Sequence, residues 1–125
     1  NPETFCVLDQ HGLPAGIWSS SKTSPITLKD GQFYRLDRIE VAPSYRGELI
    51  GGLCLSLAAT RALELNARGM VLGALPGAAN FFESLGGEQR LCSGWQAETG
   101  LLPFVFGEER LLQLKEDVDE LIVNK

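Results

Sequence analysis

The sequence has 125 residues, of which 44% are hydrophobic and 22% are charged, so we expect residues 1–125 to form one domain that needs no disulfide or metal to fold. This apolar content excludes a disordered chain, and the lack of any run of about 18 uncharged apolar residues excludes a membrane span. The 16 acidic and 11 basic residues give a net charge of −5, which disfavours non-specific binding to nucleic acid or anionic lipid and favours a cationic small molecule or a basic peptide.

Three strands are predicted in the first part of the chain. Residues 4–9 and 15–20 are rich in apolar and aromatic side chains and flank the turn residues 10–12, which predicts a hairpin. The polar residues 19–31 predict a loop. Residues 33–41 then predict a longer strand.

Alternation within this longer strand sorts its side chains onto two faces. Ile39 and Val41 are expected on one face. The other face is expected to carry Leu36, Arg38 and Glu40.

A helix and a second strand follow. From Ile50 the apolar residues recur at helical spacing as far as Leu65, and Arg68 with Gly69 predicts the end of this helix. Residues 70–74 form a short apolar strand that should be buried on both faces. A strand, a helix and a strand within about 40 residues predict a parallel pair.

The last third contains further short elements. We predict a helix over residues 78–85, strands over residues 90–96 and 102–106, and a helix from Glu108 to Val123. The final helix carries an apolar stripe at helical spacing: Leu111, Leu114, Val118 and Leu121. These elements predict an α/β fold with a mixed sheet, flanking helices and an extra C-terminal helix.

The connection between the long strand and the first helix bears glycines. The first turn of a helix has unpaired N–H groups and a positive dipole end, and glycines let the backbone approach an anion closely. Arg46 would add a charge-assisted contact. A phosphate site and a plain strand–turn–helix both fit this pattern. A Walker A loop does not, because Gly52 is followed by Leu53 rather than by Lys, and no register provides G-x-G-x-x-G.

Two runs of residues match motifs of one family. V-x-P-x-Y-R-G-x-x-I-G at residues 41–51 resembles the pyrophosphate loop of the GNAT superfamily of acyl-CoA N-acyltransferases. A-N-F-F-E-S-L-G-G at residues 79–87 is similar to the later helix of that family, typically A-x-x-F-Y-E-x-L-G-F. The order of the predicted elements also fits, over roughly residues 5–106, and the resemblance implies a GNAT-like fold.

The resemblance also implies an activity. The chain would transfer an acetyl group from acetyl-CoA directly to an amine of a small molecule or peptide. Acetyl-CoA would lie between the strands at residues 33–41 and 70–74, where backbone groups near Ile39 and Val41 would bind the pantetheine arm and polarise the thioester carbonyl. The pyrophosphate would be held by N–H groups of Arg46, Gly47, Glu48, Leu49, Ile50, Gly51 and Gly52.

The sequence departs from the family pattern in three places. Leu49 stands at the first loop glycine, where its side chain would crowd an anion. Phe82 stands where the family often has a tyrosine as general acid, and phenylalanine has no proton to give; we expect Phe82 and Phe81 to pack in the core. The first hairpin starts by residue 5, without the strand and two helices that usually precede it. These departures favour an alternative: a degenerate module that binds CoA or a partner protein without turnover.

The N-terminal departure gives the last helix a candidate role. Its apolar stripe would cover the sheet face that the usual N-terminal helices cover. It would do so within the same chain or from a partner chain, and the second case would be a homodimer.

The chemistry requires a base that takes the proton of the amine. Asp37 and Glu40 lie on the predicted strand that would face the acetyl group. Glu40 is the predicted base because it adjoins the proposed carbonyl-binding position. The structural alternative is an ion pair of Glu40 with Arg35 or Arg38.

The cysteines suggest neither a metal site nor a catalytic thiol. Cys6, Cys54 and Cys92 are widely spaced, whereas structural zinc needs four Cys or His ligands in close pairs. A thiol nucleophile would need His11, which lies in a predicted turn without a local signature of such a pair. Small buried cysteines are typical of a reducing compartment, and residues 1–3 lack the basic stretch of a signal peptide. We therefore expect no metal and a cytoplasmic location.

Overall fold

The structure, a computed structural model, describes residues 3–20, 26–28, 31–45, 50–91 and 95–123. Within these ranges the chain forms a mixed sheet of seven strands covered by helices. The strands are β1 (Glu3–Leu8), β2 (Pro14–Ser20), β3 (Ile26–Leu28), β4 (Gly31–Val41), β5 (Gly69–Ala74), β6 (Glu88–Gln89) and β7 (Leu102–Gly107). The helices are α1 (Ile50–Glu64), α2 (Ala79–Ser84) and α3 (Glu108–Val123). The order across the sheet is β1-β2-β4-β5-β7-β6, and β3 pairs with the start of β4.

The predicted N-terminal hairpin is confirmed. Strands β1 and β2 pair antiparallel, with Phe5 opposite Trp18, and the two rings stack at 4.9 Å between centroids. The Oδ1 atom of Asp9 accepts hydrogen bonds from the backbone N–H groups of His11 at 2.8 Å and of Leu13 at 3.0 Å. These bonds satisfy the backbone of the turn between the strands.

Two predictions about short strands were wrong. The polar stretch predicted as a loop contains β3, and the predicted strand at residues 90–96 is not formed by the described residues of that stretch. The strand there is β6, which pairs with Val105 and Phe104 of β7. Strands of two or three residues depend on their partner for stability, so sequence periodicity does not reveal them. Residues 21–25 and 29–30 of the predicted loop lie outside the described residues.

The predicted crossover is confirmed, because β4 and β5 pair in parallel on either side of α1. The helix ends earlier than predicted, at Glu64, and Asn66 takes the left-handed conformation with φ 60°. Gly69 is instead the first residue of β5. A Cβ at Gly69 would lie 2.6 Å from the carbonyl oxygen of Phe106, so this glycine is needed for close strand packing rather than for the helix end.

The main core lies on one face of the sheet. Tyr34, Leu36, Met70 and Phe104 pack there against all three helices. The opposite face has a smaller cluster, in which Trp95 packs on three buried residues: Phe33, Val71 and Val105.

Helix α3 has the predicted bounds, and its stripe is covered within its own chain. Leu111 and Leu114 belong to the main core, and Val118 is also buried. Through these residues α3 packs on the sheet face that α1 covers. Because the chain itself buries these three residues, they no longer support a dimer through α3.

Candidate active site

The parallel strands β4 and β5 separate at one end. Their pairing stops at Leu36 opposite Leu72, although β4 continues to Val41 and β5 to Ala74. Beyond this point β4 pairs only with β2 among the described strands. Such a divergence within an α/β sheet opens a crevice at the carboxyl ends of the strands, where ligands commonly bind.

A bulge in β4 lies next to the divergence. Ser20 of β2 is opposite Leu36, whereas Ser19 is opposite Arg38, so Asp37 is the extra residue. The bulge reverses the alternation: Leu36 is in the main core and Ile39 packs against that same core. The predicted grouping of Leu36 with Arg38 and Glu40 on one face was therefore wrong, because an extra residue changes which side chains share a face.

A groove of about 1170 Å³ lies between the diverging strands. Strands β2 and β4 form one wall, the start of α1 closes one end, and Leu75 with α2 forms the opposite wall. Of the residues predicted to bind the cofactor or to act as base, five line this groove: Ile39, Glu40, Val41, Gly51 and Gly52. Ile50 begins α1 directly beside them. Arg46, Gly47, Glu48 and Leu49 lie outside the described residues, so their roles remain predictions.

Two glycines shape the start of α1. A Cβ at Gly51 would lie 3.1 Å from Cζ of Phe81 and 3.7 Å from Cγ2 of Val41, so this glycine lets α1 approach α2 and the end of β4. A Cβ at Gly52 would meet no atom of the described residues within 4 Å. Gly52 also lines the groove, so space is open beside the first turn of a helix, where an anion is favoured.

Glu40 forms the ion pair that was the structural alternative. Its Oε1 contacts Nη2 of Arg38, and both side chains are more than half exposed. Glu40 therefore lies at the rim of the groove, with its charge already compensated.

Asp37 occupies the more secluded position. Its side chain is 42% exposed, and its Oδ1 lies 3.6 Å from Nε of Arg35. Burial raises the pKa of Asp37, the charge of Glu98 raises it further, and Arg35 opposes both effects. A carboxylate whose pKa is raised in a cleft is a candidate proton acceptor.

A second cavity, of about 340 Å³, lies on the opposite side of the sheet. Arg35 and Asp37 of β4 line it, together with Trp95 and Glu98 from the segment that follows residues 92–94. Sequence reasoning missed Trp95 and Glu98, because residues 90–96 were predicted as a strand and no local motif marks them.

The segment that carries these two residues is held close to β5. The N–H of Leu101 donates to the carbonyl of Glu98 at 2.9 Å. A Cβ at Gly73 would lie 3.1 Å from Cδ1 of Leu101 and 3.3 Å from Cβ of Ala97. The missing side chain at Gly73 therefore lets this segment pack onto the sheet beside the divergence.

The two phenylalanines of α2 differ in burial. Phe82 is 8% exposed and Phe81 is 39% exposed, so the prediction that both pack in the core holds for Phe82 alone. Phe82 lies 5.1 Å from Phe81 and 5.8 Å from Phe104 between ring centroids, and it also lines the groove. A side chain without a proton therefore stands where the resemblance expects a general acid.

The cysteines in the described ranges are free thiols, with Cys6 exposed and Cys54 buried. Burial raises the pKa of Cys54 to about 11, which keeps it a neutral thiol and a poor nucleophile. Cys92 lies outside the described ranges. Across the part of the chain that the structure describes, no three His, Cys, Asp or Glu side chains group as metal ligands would. None of the described helices is both long and apolar enough to cross a membrane.

Comparison with known proteins identifies the fold. No protein-family model and no curated protein matches the chain, but solved structures do. A bacterial toxin superposes with a TM-score of 0.68 at 21% identity, over 89% of this chain and 70% of that chain. A putative acyl-CoA N-acyltransferase from Klebsiella pneumoniae gives 0.67 at 14% identity, over 85% and 72%. A GNAT-family acetyltransferase from Staphylococcus aureus gives 0.66 at 17% identity, over 86% and 68%. The chain therefore has the GNAT fold, as its two motifs predicted.

Proposed function

We propose that this protein is an N-acetyltransferase that transfers an acetyl group from acetyl-CoA directly to the amine of a small molecule or peptide. The observation that carries the proposal is the groove between the diverging ends of β4 and β5, which opens onto the first turn of α1. Structures with this fold include proteins described as a putative acyl-CoA N-acyltransferase and as an acetyltransferase of the GNAT family. We expect the protein to act in the cytoplasm, because Cys6 and Cys54 are free thiols, as in a reducing compartment.

The residues of the groove fit a CoA thioester. The open space beside Gly52 suits a pyrophosphate, which the N–H groups of residues 46–52 would hold at the positive end of α1. Main-chain groups of Ile39 and Val41 would bind the pantetheine arm and polarise the carbonyl. When bound, acetyl-CoA supplies the activated acetyl group.

We assign Asp37 as the base in place of Glu40. Asp37 lies where the groove meets the second cavity and lines both, whereas Glu40 is paired with Arg38 at the exposed rim. The raised pKa of Asp37 favours proton acceptance.

The reaction removes two protons from the nitrogen of an ammonium acceptor. An ammonium acceptor gives one proton to Asp37, and the resulting amine forms the new N–C bond as the C–S bond breaks. The second proton of the nitrogen leaves with the thiolate, which becomes the free thiol. Phe82 supplies no proton, so the thiolate takes the proton of the nitrogen directly or through a water molecule that relays it.

Phe82 favours a second candidate function, a GNAT-fold module that binds CoA or a partner protein without turnover. Its ring fills the position of the usual acid and is packed against Phe104. A thiolate leaves without acid catalysis more slowly, and general acid–base catalysis typically contributes about 10²–10⁴-fold.

Two measurements separate these functions. Calorimetric titration with acetyl-CoA tests binding, and release of free thiol with a panel of amines tests turnover. Binding with turnover supports the acetyltransferase. Binding without turnover on every amine supports the module. No binding at millimolar acetyl-CoA contradicts the acetyltransferase and a CoA-binding module, and leaves only a module that binds a partner protein.

A further inference from the structure

The two cavities meet at the divergence of the strands. Four residues line both of them: Leu36, Asp37, Gly73 and Leu101. A molecule in the smaller cavity therefore reaches the groove at the side chain of Asp37, from the side of the sheet opposite to the helices.

The described residues that line the smaller cavity carry excess negative charge. They include two carboxylates, Asp37 and Glu98, and one guanidinium, that of Arg35. Arg35 already lies 3.6 Å from Asp37, so it offsets the charge of Asp37 and leaves that of Glu98. A site with this balance attracts cations and repels anions.

An aromatic wall completes the cavity. Trp95 is half-buried, packs on Phe33, Val71 and Val105, and also lines the cavity. A cation is attracted to the face of an indole ring. The volume of about 340 Å³ is near the lower end of the range for small-molecule sites, about 300–1,000 Å³.

We propose that the smaller cavity binds the acetyl acceptor, and that this acceptor is a compact primary amine with a second positive charge and no carboxylate, held by Glu98 and Trp95. That the bound amine is acetylated rests on the proposed function. Binding of the cationic amine to the cavity does not require turnover. The reactive ammonium points to Asp37, and the second cationic group lies near Glu98.

A matched pair of probes tests the charge preference. 1,4-Diaminobutane and 4-aminobutanoic acid share one ammonium and a similar chain, and differ in whether the far end is cationic or anionic. Binding of each is measured by calorimetry on the full chain, with and without CoA. We expect the diamine to bind more tightly by about tenfold or more, since Glu98 would accept a charge-assisted hydrogen bond from the second ammonium and would repel a carboxylate. No diamine binding at millimolar concentration, or tighter binding of the amino acid, overturns the inference.

A matched pair of variants tests the assigned residue. Glu98→Gln and Glu88→Gln remove the same charge, but Glu88 lies on β6 with a side chain 75% exposed and paired with Arg90, outside both cavities. We expect Glu98→Gln to weaken diamine binding about tenfold or more and Glu88→Gln to leave it unchanged. Equal binding by Glu98→Gln and the unchanged protein overturns the assignment.

The same titrations separate this inference from the proposed function. CoA binding should be equal in both variants, because neither residue lines the groove. If the diamine binds through Glu98 but CoA does not bind, the cavity inference stands and the acetyltransferase proposal fails. If CoA binds and some amine is acetylated, but Glu98→Gln leaves diamine binding unchanged, the acetyltransferase proposal stands and this inference fails.

Discussion

Leu36 of β4 lies opposite Leu72 of β5 at the last parallel pair before the two strands diverge. Both leucines are 3% exposed and belong to the main core, so hydrophobic packing fixes the point where the groove opens. The next residue along β4 is the bulged Asp37. The position of the candidate base therefore follows from two features of the fold, the end of the pairing and the bulge.

Asp37→Asn should abolish most turnover and leave CoA binding intact. Asparagine has a similar shape but accepts no proton, so kcat should fall by about 10²–10⁴-fold. The control is Glu40→Gln, since Glu40 is paired with Arg38 at the rim and its removal should change kcat little. The reverse pattern, with Glu40→Gln inactive and Asp37→Asn active, would restore Glu40 as the base.

The same variant should stabilise the protein at neutral pH. The pKa of Asp37 is raised in the folded state above its ordinary value of 3.8 by burial, so ionisation of this carboxyl destabilises the fold. Its unfavourable contribution appears as pH rises from 3.8 through the higher folded pKa. In urea unfolding, the free energy of unfolding of Asp37→Asn should therefore exceed that of the unchanged protein at neutral pH. The difference should disappear below pH 3.8. A variant less stable at neutral pH would contradict the direction of the pKa shift.

Gly52→Ala should raise the stability of the protein and weaken its binding of CoA. The added Cβ meets no described atom within 4 Å, and alanine favours the helix by up to about 1 kcal/mol, so the free energy of unfolding should rise. The methyl group enters the space proposed for the pyrophosphate, and the Kd for CoA should rise about tenfold, equivalent to about 1.4 kcal/mol.

Gly77→Ala is the matched control for this prediction. Gly77 also has open space for a Cβ among the described residues, but it does not line the groove. CoA affinity should be unchanged in this variant. Equal affinity in both variants would place the pyrophosphate elsewhere.

Much of the fold could be predicted from the sequence, because its longer elements carry strong local patterns. Helix α3 has the predicted bounds, since its leucine and valine stripe is regular. The parallel pair follows from a strand, a helix and a strand in succession. The motifs at residues 41–51 and 79–87 then pointed to the GNAT fold. Each of these signals lies within one segment of the chain.

The site depended on relations between segments, which the sequence does not display. The bulge at Asp37 exists only in the pairing of β4 with β2, whereas Glu40 was predicted as the base from its place beside the proposed carbonyl-binding position. Trp95 and Glu98 reach the site because their segment packs onto Gly73. No local pattern reports such a contact, and a strand was predicted there instead.

The N-terminal strand should contribute an acid-sensitive part of the stability. The pKa of Glu3 is lowered from 4.5, mainly by the hydrogen bond from Arg61. Tyr34, whose pKa burial raises to about 12, also donates its hydroxyl to Glu3 Oε2 at 3.0 Å. The contribution of ionised Glu3 to stability is fully present above pH 4.5 and is lost as the pH falls through the lower folded pKa.

Glu3→Gln tests this contribution by urea unfolding at several pH values. The variant should be less stable at neutral pH, and its stability should fall less than that of the unchanged protein on acidification below 4.5. Glu64→Gln is the control, because its carboxylate is 61% exposed and 3.8 Å from Arg61; it should change stability little. Parallel acid profiles for Glu3→Gln and the unchanged protein would exclude Glu3 as the source.

Phe82→Tyr should increase turnover if departure of the thiolate limits the rate. Phe82 lines the groove and is 8% exposed, so a hydroxyl on its ring would place a proton donor where the resemblance implies a general acid. We expect kcat to rise by up to about 10²-fold, with the Kd for acetyl-CoA unchanged.

Phe81→Tyr is the matched control, since Phe81 is on the same helix and also lines the groove. The kcat of this variant should not rise. Equal increases in both variants would show that the position of the hydroxyl is irrelevant, and a Phe82→Tyr protein that binds acetyl-CoA but turns over no amine would favour the module without turnover.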